Sequence, residues 1–552
     1  MEQNTPTGNQ DRGGQPLRSR RTILFAAGVA GAAAVTDVCL GRGATPAQAL
    51  SATHQRATPA WLTRLSSTPT NADWNALKGK LSTHKLVRPG QSDYNAAREL
   101  FDPRFDSLRP SGIAYCKRPS DVAACVSFVT RFGLPVRVRS CGHSYEGWSS
   151  VNNGLIVDVS DMNSLHFGNG TVTAGSGIDL INFYAGLAAR GKAVPGGSCP
   201  TVGLAGLALG GGVGVLGRQF GLTSDAIESL QIVTADGSTL SCNSTNAHSD
   251  LYWASRGGGG GNFGVATSFT FRTHDLRSLV VFFLGWPWID AGRVVNAWQS
   301  WAPHANPNLW SNLHLFANTG GPPEVSVGGT FIGSIDGANR LIGQLYDKVG
   351  VKAPSHSVKV HSYLSAMLLE AGCETKTVHA CNMATRVPSF AKSDFFTKPL
   401  NSAGISALLR GIERLATVRG AAGGNGSIAL DAMGGAVNRV HPQATAFVHR
   451  NALFLAQYIT GWTSPGSAAG IANQRRWINS YYNAVHPHAS GQAYQNYIDA
   501  SLANWRVAYY GINYTRLSEI KAKYDPHQLF RFPQGITPPT QVACVADAAP
   551  DC

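Results

Sequence analysis

Val136-Arg137-Val138-Arg139-Ser140-Cys141-Gly142-His143-Ser144-Tyr145 is the stretch on which the reading of this chain turns. Its first four residues alternate apolar and basic side chains with the period of a β-strand, and Ser-Cys-Gly-His then breaks the strand into a turn. Just upstream, Pro119-Ser120-Asp121 reads as a helix start, Val122 to Phe132 as an amphipathic helix and Gly133-Leu134-Pro135 as its stop. Downstream, Leu155-Ile156-Val157-Asp158-Val159 reads as a buried strand and Ile178 to Arg190 as a second helix. Ile227 to Leu240, with Ile232-Val233-Thr234 and the turn Asp236-Gly237, reads as a hairpin. This alternation predicts an α/β unit over 107–275, preceded by a short, mostly helical lead-in over 50–106.

Beyond 276 the texture changes. Long apolar strands such as Val280 to Trp286 and Ala452 to Trp462 alternate with helices such as Gly404 to Thr417, while Gly423-Gly424-Asn425-Gly426 and Gly434-Gly435 read as turns. A second unit over 276–490 is expected, an antiparallel sheet covered by helices on one face. Residues 491–552 form a separate segment, motif-rich from Trp505 onward. The fold class expected for the whole is α+β.

A chain of 552 residues, 43% hydrophobic and 14% charged, can bury a large core, and no apolar run of membrane-spanning length interrupts its body. The net charge of +14 is dispersed, with no run of five basic residues, so it reads as a solvated surface and not as a nucleic-acid groove. Near the start, Ser19-Arg20-Arg21-Thr22-Ile23-Leu24 has the form of a twin-arginine signal. The apolar Phe25 to Val35 follows it, and Ala47-Gln48-Ala49 suits cleavage. Residues 1–49 are therefore expected to be an export signal read by the twin-arginine machinery, and the mature chain a secreted, extracellular protein. The bland reading is a basic N-terminus without structure. Of ten cysteines, Cys373 with Cys381 and Cys544 with Cys552 are expected as bridges, while Cys116, Cys125, Cys141 and Cys242 read equally as buried thiols.

Three Gly-rich tracts carry the chemistry: 137–145; Gly196-Gly197-Ser198-Cys199-Pro200-Thr201-Val202-Gly203, continuing to Gly210-Gly211-Gly212-Val213-Gly214; and Arg256, then Gly257 to Gly261 and Asn262-Phe263-Gly264. Glycine backbone can approach a diphosphate closely because no Cβ intervenes. None of the tracts is a dinucleotide fingerprint of the GxGxxG type or a P-loop. His486-Pro487-His488 has metal-like spacing without a third ligand and reads as a loop, so no metal site is expected.

From about 107 to the C-terminus the sequence resembles the berberine bridge enzyme-like family of FAD-linked oxidases, within the vanillyl-alcohol oxidase (PCMH-type) superfamily. The resemblance rests on Arg139 to Gly147, on Cys199 to Gly203, and on Leu251-Tyr252-Trp253 with Arg256 to Gly264. At the far end it rests on Tyr509-Tyr510-Gly511, Asn513-Tyr514, Leu517, Lys521, Tyr524-Asp525-Pro526 and Phe532-Pro533-Gln534. With the export signal, the pattern reads as a bacterial secreted member. The resemblance implies a two-subdomain FAD-binding domain, a separate substrate domain and a C-terminal segment returning to the first. It implies FAD held bicovalently, by His143 at the 8α carbon and by the Cys199 sulfur at ring carbon 6. Without that context the two residues would read as a loop histidine and a buried thiol. The further cofactor contacts it implies are Arg139, Ser140, Cys141, Gly142 and Ser144; Gly197, Pro200, Thr201, Val202, Gly203, Gly206, Gly210 and Gly211; then Gly264, Val265, Tyr510 and Asn513.

Residue 141 departs from the family in being Cys where Gly is usual, and a positive φ there would strain it. Hydride removal from a carbinol also needs a base for the hydroxyl proton. The carboxylate that berberine bridge enzyme carries shortly after a Gly-Gly pair is missing after Gly434-Gly435, where Ala436-Val437-Asn438-Arg439 follows. The resemblance therefore assigns the base to Tyr497, within Tyr494-Gln495-Asn496-Tyr497-Ile498-Asp499; Tyr145, two residues after the linked histidine, is expected on the substrate side, and Asp431, on the strand before Gly434, is a weaker candidate for a helper. A neighbouring cation, or the oxidised flavin, would have to favour the Tyr497 phenolate. Val202, three residues after the linked cysteine, is the family's oxygen-permitting choice. The expected activity is oxidation of a secondary or hemiacetal alcohol, on a saccharide or on a glycosylated or polycyclic natural product, with O2 reduced to H2O2. Two alternatives stay open: oxidative cyclisation in secondary metabolism, and a non-catalytic exported flavin- or glycan-binding protein.

Overall fold

The computed structural model describes residues 68–383, 385–417, 424–463 and 466–539. The expected export signal and the Cys544–Cys552 bridge lie outside the described residues. Strands β1 (Leu86–Val87), β2 (Gly112–Tyr115), β3 (Val136–Arg139) and β4 (Leu155–Asp158) form a sheet in the order β1-β2-β4-β3, with β3 and β2 both parallel to β4. The helix Pro119–Phe132 links β2 to β3 and packs Val122, Val126 and Val129 against the sheet; Gly133, in the left-handed conformation, ends it. The lead-in is less helical than expected: after the helix Asn71–Lys80 it supplies β1 to this sheet.

Next come β5 (Leu165–Phe167), β6 (Thr171–Gly175), β7 (Lys192–Ala193), β8 (Ile227–Val233), β9 (Thr239–Asn243), β10 (Val265–Arg272) and β11 (His274–Asp275). Five of them build an antiparallel sheet in the order β5-β6-β10-β8-β9, and β7 pairs with β11. The expected hairpin is β8–β9, turning at Gly237 with φ +83°.

Strands β12 (Ser278–Trp286), β13 (Leu309–Asn318), β14 (Glu324–Phe331), β15 (Ser355–Ser362), β16 (Ser389–Phe396), β17 (Asn425–Ala432) and β18 (Phe454–Gly461) make one antiparallel sheet, ordered β15-β12-β14-β13-β17-β18-β16. The helices Ala291–Trp301, Ile335–Val349, Ser402–Thr417 and Ala468–Val485 cover one face, where Leu313, Leu315, Ile428 and Leu430 are fully buried. Alternate residues point the other way. That second face looks toward the first two sheets and forms a wall of the site.

One sequence reading needs correcting. Asn425 and Gly426 begin β17 instead of turning: the Trp477 ring packs so closely on Gly426 that an added Cβ would lie 2.4 Å from it. Gly434 and Gly435 do turn, both with positive φ. Of the cysteines, Cys373 and Cys381 are bonded, whereas Cys116, Cys125, Cys141 and Cys242 are free thiols.

The C-terminal segment returns to the first unit through a fully buried ion pair. Lys521 Nζ donates to Asp525 Oδ2 at 2.6 Å, to the Phe530 carbonyl at 2.6 Å and to the Asn262 carbonyl of the third Gly tract at 2.5 Å. Asp525 also accepts from the Leu529 and Phe530 amides. Asp525→Ala would strand a buried ammonium, and we expect equilibrium unfolding in urea to show a loss of about 3–5 kcal/mol.

Candidate active site

Strand β3 ends at Arg139, whose guanidinium pairs with Asp158 at the end of β4 at 2.5 Å, both side chains buried. The pair locks the ends of the two parallel strands, and the chain leaves them as the Ser140–Tyr145 loop. Positive φ falls on Gly142 at +74°, and Cys141 stays out of that region, so the anticipated strain is absent. The Gly142 carbonyl accepts from the Phe101 amide at 3.2 Å, and the Phe101 ring stacks on the His143 imidazole with centroids 4.0 Å apart. His143 Nε2 is held by Thr201 Oγ1 at 2.9 Å, so the two tethering loops touch. Burial pushes the His143 pKa down to about 3, leaving a neutral imidazole.

The second and third tracts lie against each other through their backbones. The Leu209 carbonyl accepts from both the Gly257 and Gly259 amides at 2.9 Å. Gly214 stands so close to Gly196 that an added Cβ would lie 1.7 Å from its carbonyl oxygen. The loop carrying Tyr497 docks onto these tracts. Gln495 Nε2 donates to the Gly210 and Gly257 carbonyls, Asn496 Nδ2 donates to the Leu207 carbonyl, and the Tyr494 hydroxyl accepts from the Gly212 amide.

These loops enclose a cavity of about 650 Å³, closed on its far side by the open face of the seven-stranded sheet. β13 contributes Trp310, Asn312, His314, Phe316 and Asn318, β17 Asn425, Ser427, Ala429 and Asp431, and β18 Gln457 and Ile459. Tyr497 and Tyr145 stack with centroids 5.7 Å apart, and the Tyr145 hydroxyl accepts from Gln457 Nε2 at 2.6 Å. Burial, then the charges of Tyr145 and Asp431, push the Tyr497 phenol well above its ordinary pKa, and no cation is among the leading causes. Burial raises Asp431 to about 7 and lowers His314 to about 4.

The cavity suits the flavin dinucleotide that the resemblance implies. Its volume lies in the ordinary range for cofactor pockets. Gly206 lines it, and an added Cβ there would meet no protein atom within 4 Å, so glycine keeps that wall open instead of relieving a clash. From two stretches far apart in the chain, the neutral His143 imidazole and the Cys199 thiol both line the space. His143, Cys199, Ser140, Cys141, Gly142, Ser144, Gly197, Val202, Gly203, Gly206 and Gly264 line it, as do Tyr145, Tyr497 and Asp431.

The other expected contacts are not among the lining residues, and their partners are in the protein. Arg139 is spent on Asp158, and Thr201 on His143. Gly210 and Gly211 pack under Asn496 and Phe447, and Val265 is buried on β10. Pro200 accepts from the Ile181 amide through its carbonyl. Tyr510 donates to the Gly258 carbonyl, and Asn513 to the carbonyls of Pro442, Thr445 and Ala446. Sequence reasoning missed Phe101, Gln457, Asn312 and His314. Phe101 sits in the lead-in, with no local signal. The other three occupy alternate positions of strands whose facing the sequence left open.

Residues 110–243 match the FAD binding domain family, and residues 493–537 match the berberine and berberine like family. An uncharacterised FAD-linked oxidoreductase of Bacillus subtilis, YgaK, is 34% identical over 83% of this chain and 97% of its own length. A second from the same organism, YvdP, is 32% identical over 83% and 98%. Among solved structures, the BBE-like 1 protein of Physcomitrella patens superposes with a TM-score of 0.74 at 29% identity, covering 83% of this chain and 98% of its own. A chitooligosaccharide oxidase superposes at 0.75 and 25% identity, covering 84% and 100%. With these relatives spanning nearly their full lengths, and with FAD-binding and berberine-type segments converging on one cavity, the chain belongs to the berberine bridge enzyme-like family of FAD-linked oxidoreductases.

Proposed function

We propose that this FAD-linked oxidoreductase oxidises a secondary or hemiacetal alcohol, on a saccharide or glycosylated natural product, and passes the electrons to O2 to give H2O2. The observation that carries the reading is a single cavity lined by both tether candidates, His143 and Cys199, together with a titrating carboxylate and two stacked tyrosines. When bound there, FAD supplies the hydride acceptor and the route to oxygen.

The protein's own part is positional and protic. Phe101 and Thr201 fix the His143 ring at the cavity wall, which supports a covalent link through the imidazole. Two covalent tethers would also keep an exported enzyme from losing its cofactor. Gln457, by donating to the Tyr145 hydroxyl, leaves that hydroxyl's own proton free to bond a substrate oxygen. The Tyr497 phenol, pushed high by burial, is a poor resting base; Asp431, at about 7, carries negative charge near neutrality. We therefore assign the contact with the substrate hydroxyl to Tyr497 and the uptake of the proton's charge to Asp431. From sequence, Asp431 reads only as a weaker candidate for a helper. Val202 faces the cavity with its small β-branched side chain, which supports access for oxygen. A chitooligosaccharide oxidase and a pollen allergen with glucose dehydrogenase activity among the similar structures favour sugars.

Acid precipitation tests the tethers: the wild-type pellet should be yellow, and flavin should stay attached in either His143→Ala or Cys199→Ala but wash away from the double variant. A colourless wild-type pellet over a yellow supernatant would overturn the bicovalent reading. The pH profile tests the base. Asp431 is active when ionised and its pKa is raised to about 7, so kcat/KM should rise with pH up to about 7 and then level. Asp431→Asn should flatten that limb and cost about 10²–10⁴-fold in rate. Peroxide release, followed by a coupled peroxidase assay, should match substrate consumed one for one.

A further inference from the structure

Two contacts of different kinds hold His143, and together they do what neither does alone. The hydrogen bond between Nε2 and Thr201 Oγ1, at 2.9 Å, fixes one direction close to the plane of the imidazole. It leaves the ring able to turn about that direction, because the outer torsion of a histidine side chain has broad wells. The Phe101 ring removes this freedom. It lies on the imidazole face with centroids 4.0 Å apart and planes 21° from parallel. Any bond that a ring nitrogen forms lies in the ring plane, so fixing the plane fixes where such a bond points.

Phe101 is in turn held on both sides of its place in the chain. Its amide donates to the Gly142 carbonyl at 3.2 Å, so the phenyl ring and the His143 loop move together. Arg386, on the approach to β16, donates from Nε to the Leu100 carbonyl at 2.7 Å and pairs with Glu99 at 3.0 Å and with Asp106. The Ser389 amide donates to Asp102 Oδ2 at 3.2 Å, and Arg104 donates to the Tyr145 carbonyl at 2.6 Å. The Phe101 ring itself lines the cavity and belongs to none of the hydrophobic clusters of the described residues, so core packing does not account for its place.

We propose that Phe101 is a positioning residue for the His143 tether: its face holds the imidazole in the plane from which the link to the flavin forms, and Arg386 holds Phe101 there. The inference rests on the bicovalent reading above and adds to it the group that aims one of the two links. Forming that link joins a ring nitrogen to the 8α carbon, taking one hydrogen from the imidazole and one from the flavin's 8-methyl group; the two electrons and two protons pass to O2 as H2O2. A misplacement of about 1 Å costs such a step on the order of 10²-fold.

The test follows the two links separately. Full-length protein is harvested at intervals after induction, acid-precipitated and digested, and the flavin-bearing fractions of the His143 and Cys199 peptides are read by mass spectrometry. Phe101→Leu keeps an apolar side chain without the flat face. In it the His143 flavopeptide should accumulate about tenfold more slowly than in wild type, while the Cys199 flavopeptide keeps its wild-type course. Phe101→Tyr restores the face and should restore the rate. Arg386→Gln, which leaves the ring and cuts its ion pairs, should slow the same link, and it serves where Phe101→Leu fails to fold. An unchanged His143 rate in Phe101→Leu, or in Arg386→Gln where that variant stands in for it, would overturn the assignment, as would equal slowing of both links, the sign of a general loosening. If wild type carries no flavin on His143, the bicovalent reading falls and this inference with it. If wild type carries both links and Phe101→Leu matches it, this inference alone falls.

Discussion

The amide of Gln495 joins everything that matters in this molecule. Its Nε2 donates at once to the Gly210 carbonyl of the second Gly tract and to the Gly257 carbonyl of the third. Both acceptors are backbone atoms on chains brought so close that the Leu209 carbonyl takes two glycine amides. A side chain at Gly214 would collide with the Gly196 carbonyl of its own tract and one at Gly257 with the Phe447 backbone, so both positions demand glycine for steric reasons. A cavity wall of bare backbone results, and the residue that clamps it is two positions from Tyr497. Cofactor seat and proton site are therefore one mechanical unit. A change that loosens the Gly tracts also displaces the phenol.

Electrostatics follows from the same closure. The site is dry on the protein side, and burial is the leading cause of every large shift within it: His143 and His314 are driven neutral, Cys141 is pushed up to about 12, and Asp431 is raised to about 7. A neutral His143 keeps a nucleophilic ring nitrogen available at any physiological pH, which a protonated ring would not. Cys141 stays a thiol and so adds a second sulfur without a second nucleophile. Arg137 and Arg531 line the cavity, and two further buried cations are paired with carboxylates. Arg139 is paired with Asp158, and Lys392 is paired with Asp499 at 2.7 Å, beneath the loop that carries Tyr497.

How far the sequence could be read depended on how local each signal was. The strand and loop from Val136 to Tyr145 follow from period and turn chemistry, and so do the helix Pro119–Phe132 and the β8–β9 hairpin. Each is decided by neighbours within a few residues. The Gly tracts could be recognised as close-approach backbone, though not what they approach: Gly426 looked like a turn and is a strand residue beneath Trp477. Facing was the harder limit. β13 is buried on both faces, so hydrophobic alternation could not say that Asn312 and His314 look into a cavity while Leu313 and Leu315 look into a core. Phe101 was beyond reach for a different reason. Its stack on His143 depends on a lead-in segment folding back, fixed by the Gly142 carbonyl and by Arg386, which pairs with Glu99 at 3.0 Å.

On the proposed assignment, the carboxylate of Asp431 stands in for an acid after Gly434-Gly435. That turn is packed on Arg218, whose guanidinium is committed to the Leu309 and Pro303 carbonyls, and an added Cβ at Gly435 would strike the Arg218 backbone. Residues just past it, Ala436–Arg439, form a short helix pinned by Asn438 to the Gly434 amide and the Ala452 carbonyl. None of them lines the cavity. Asp431 precedes the turn and lies on β17, where strand alternation alone aims it into the site. A strand is a stiffer support than a loop, and its regular register sets the carboxylate diagonal to His314 and one row from Gln457. The proposed proton acceptor thus stands on the same stiff sheet face as the polar side chains that line the cavity.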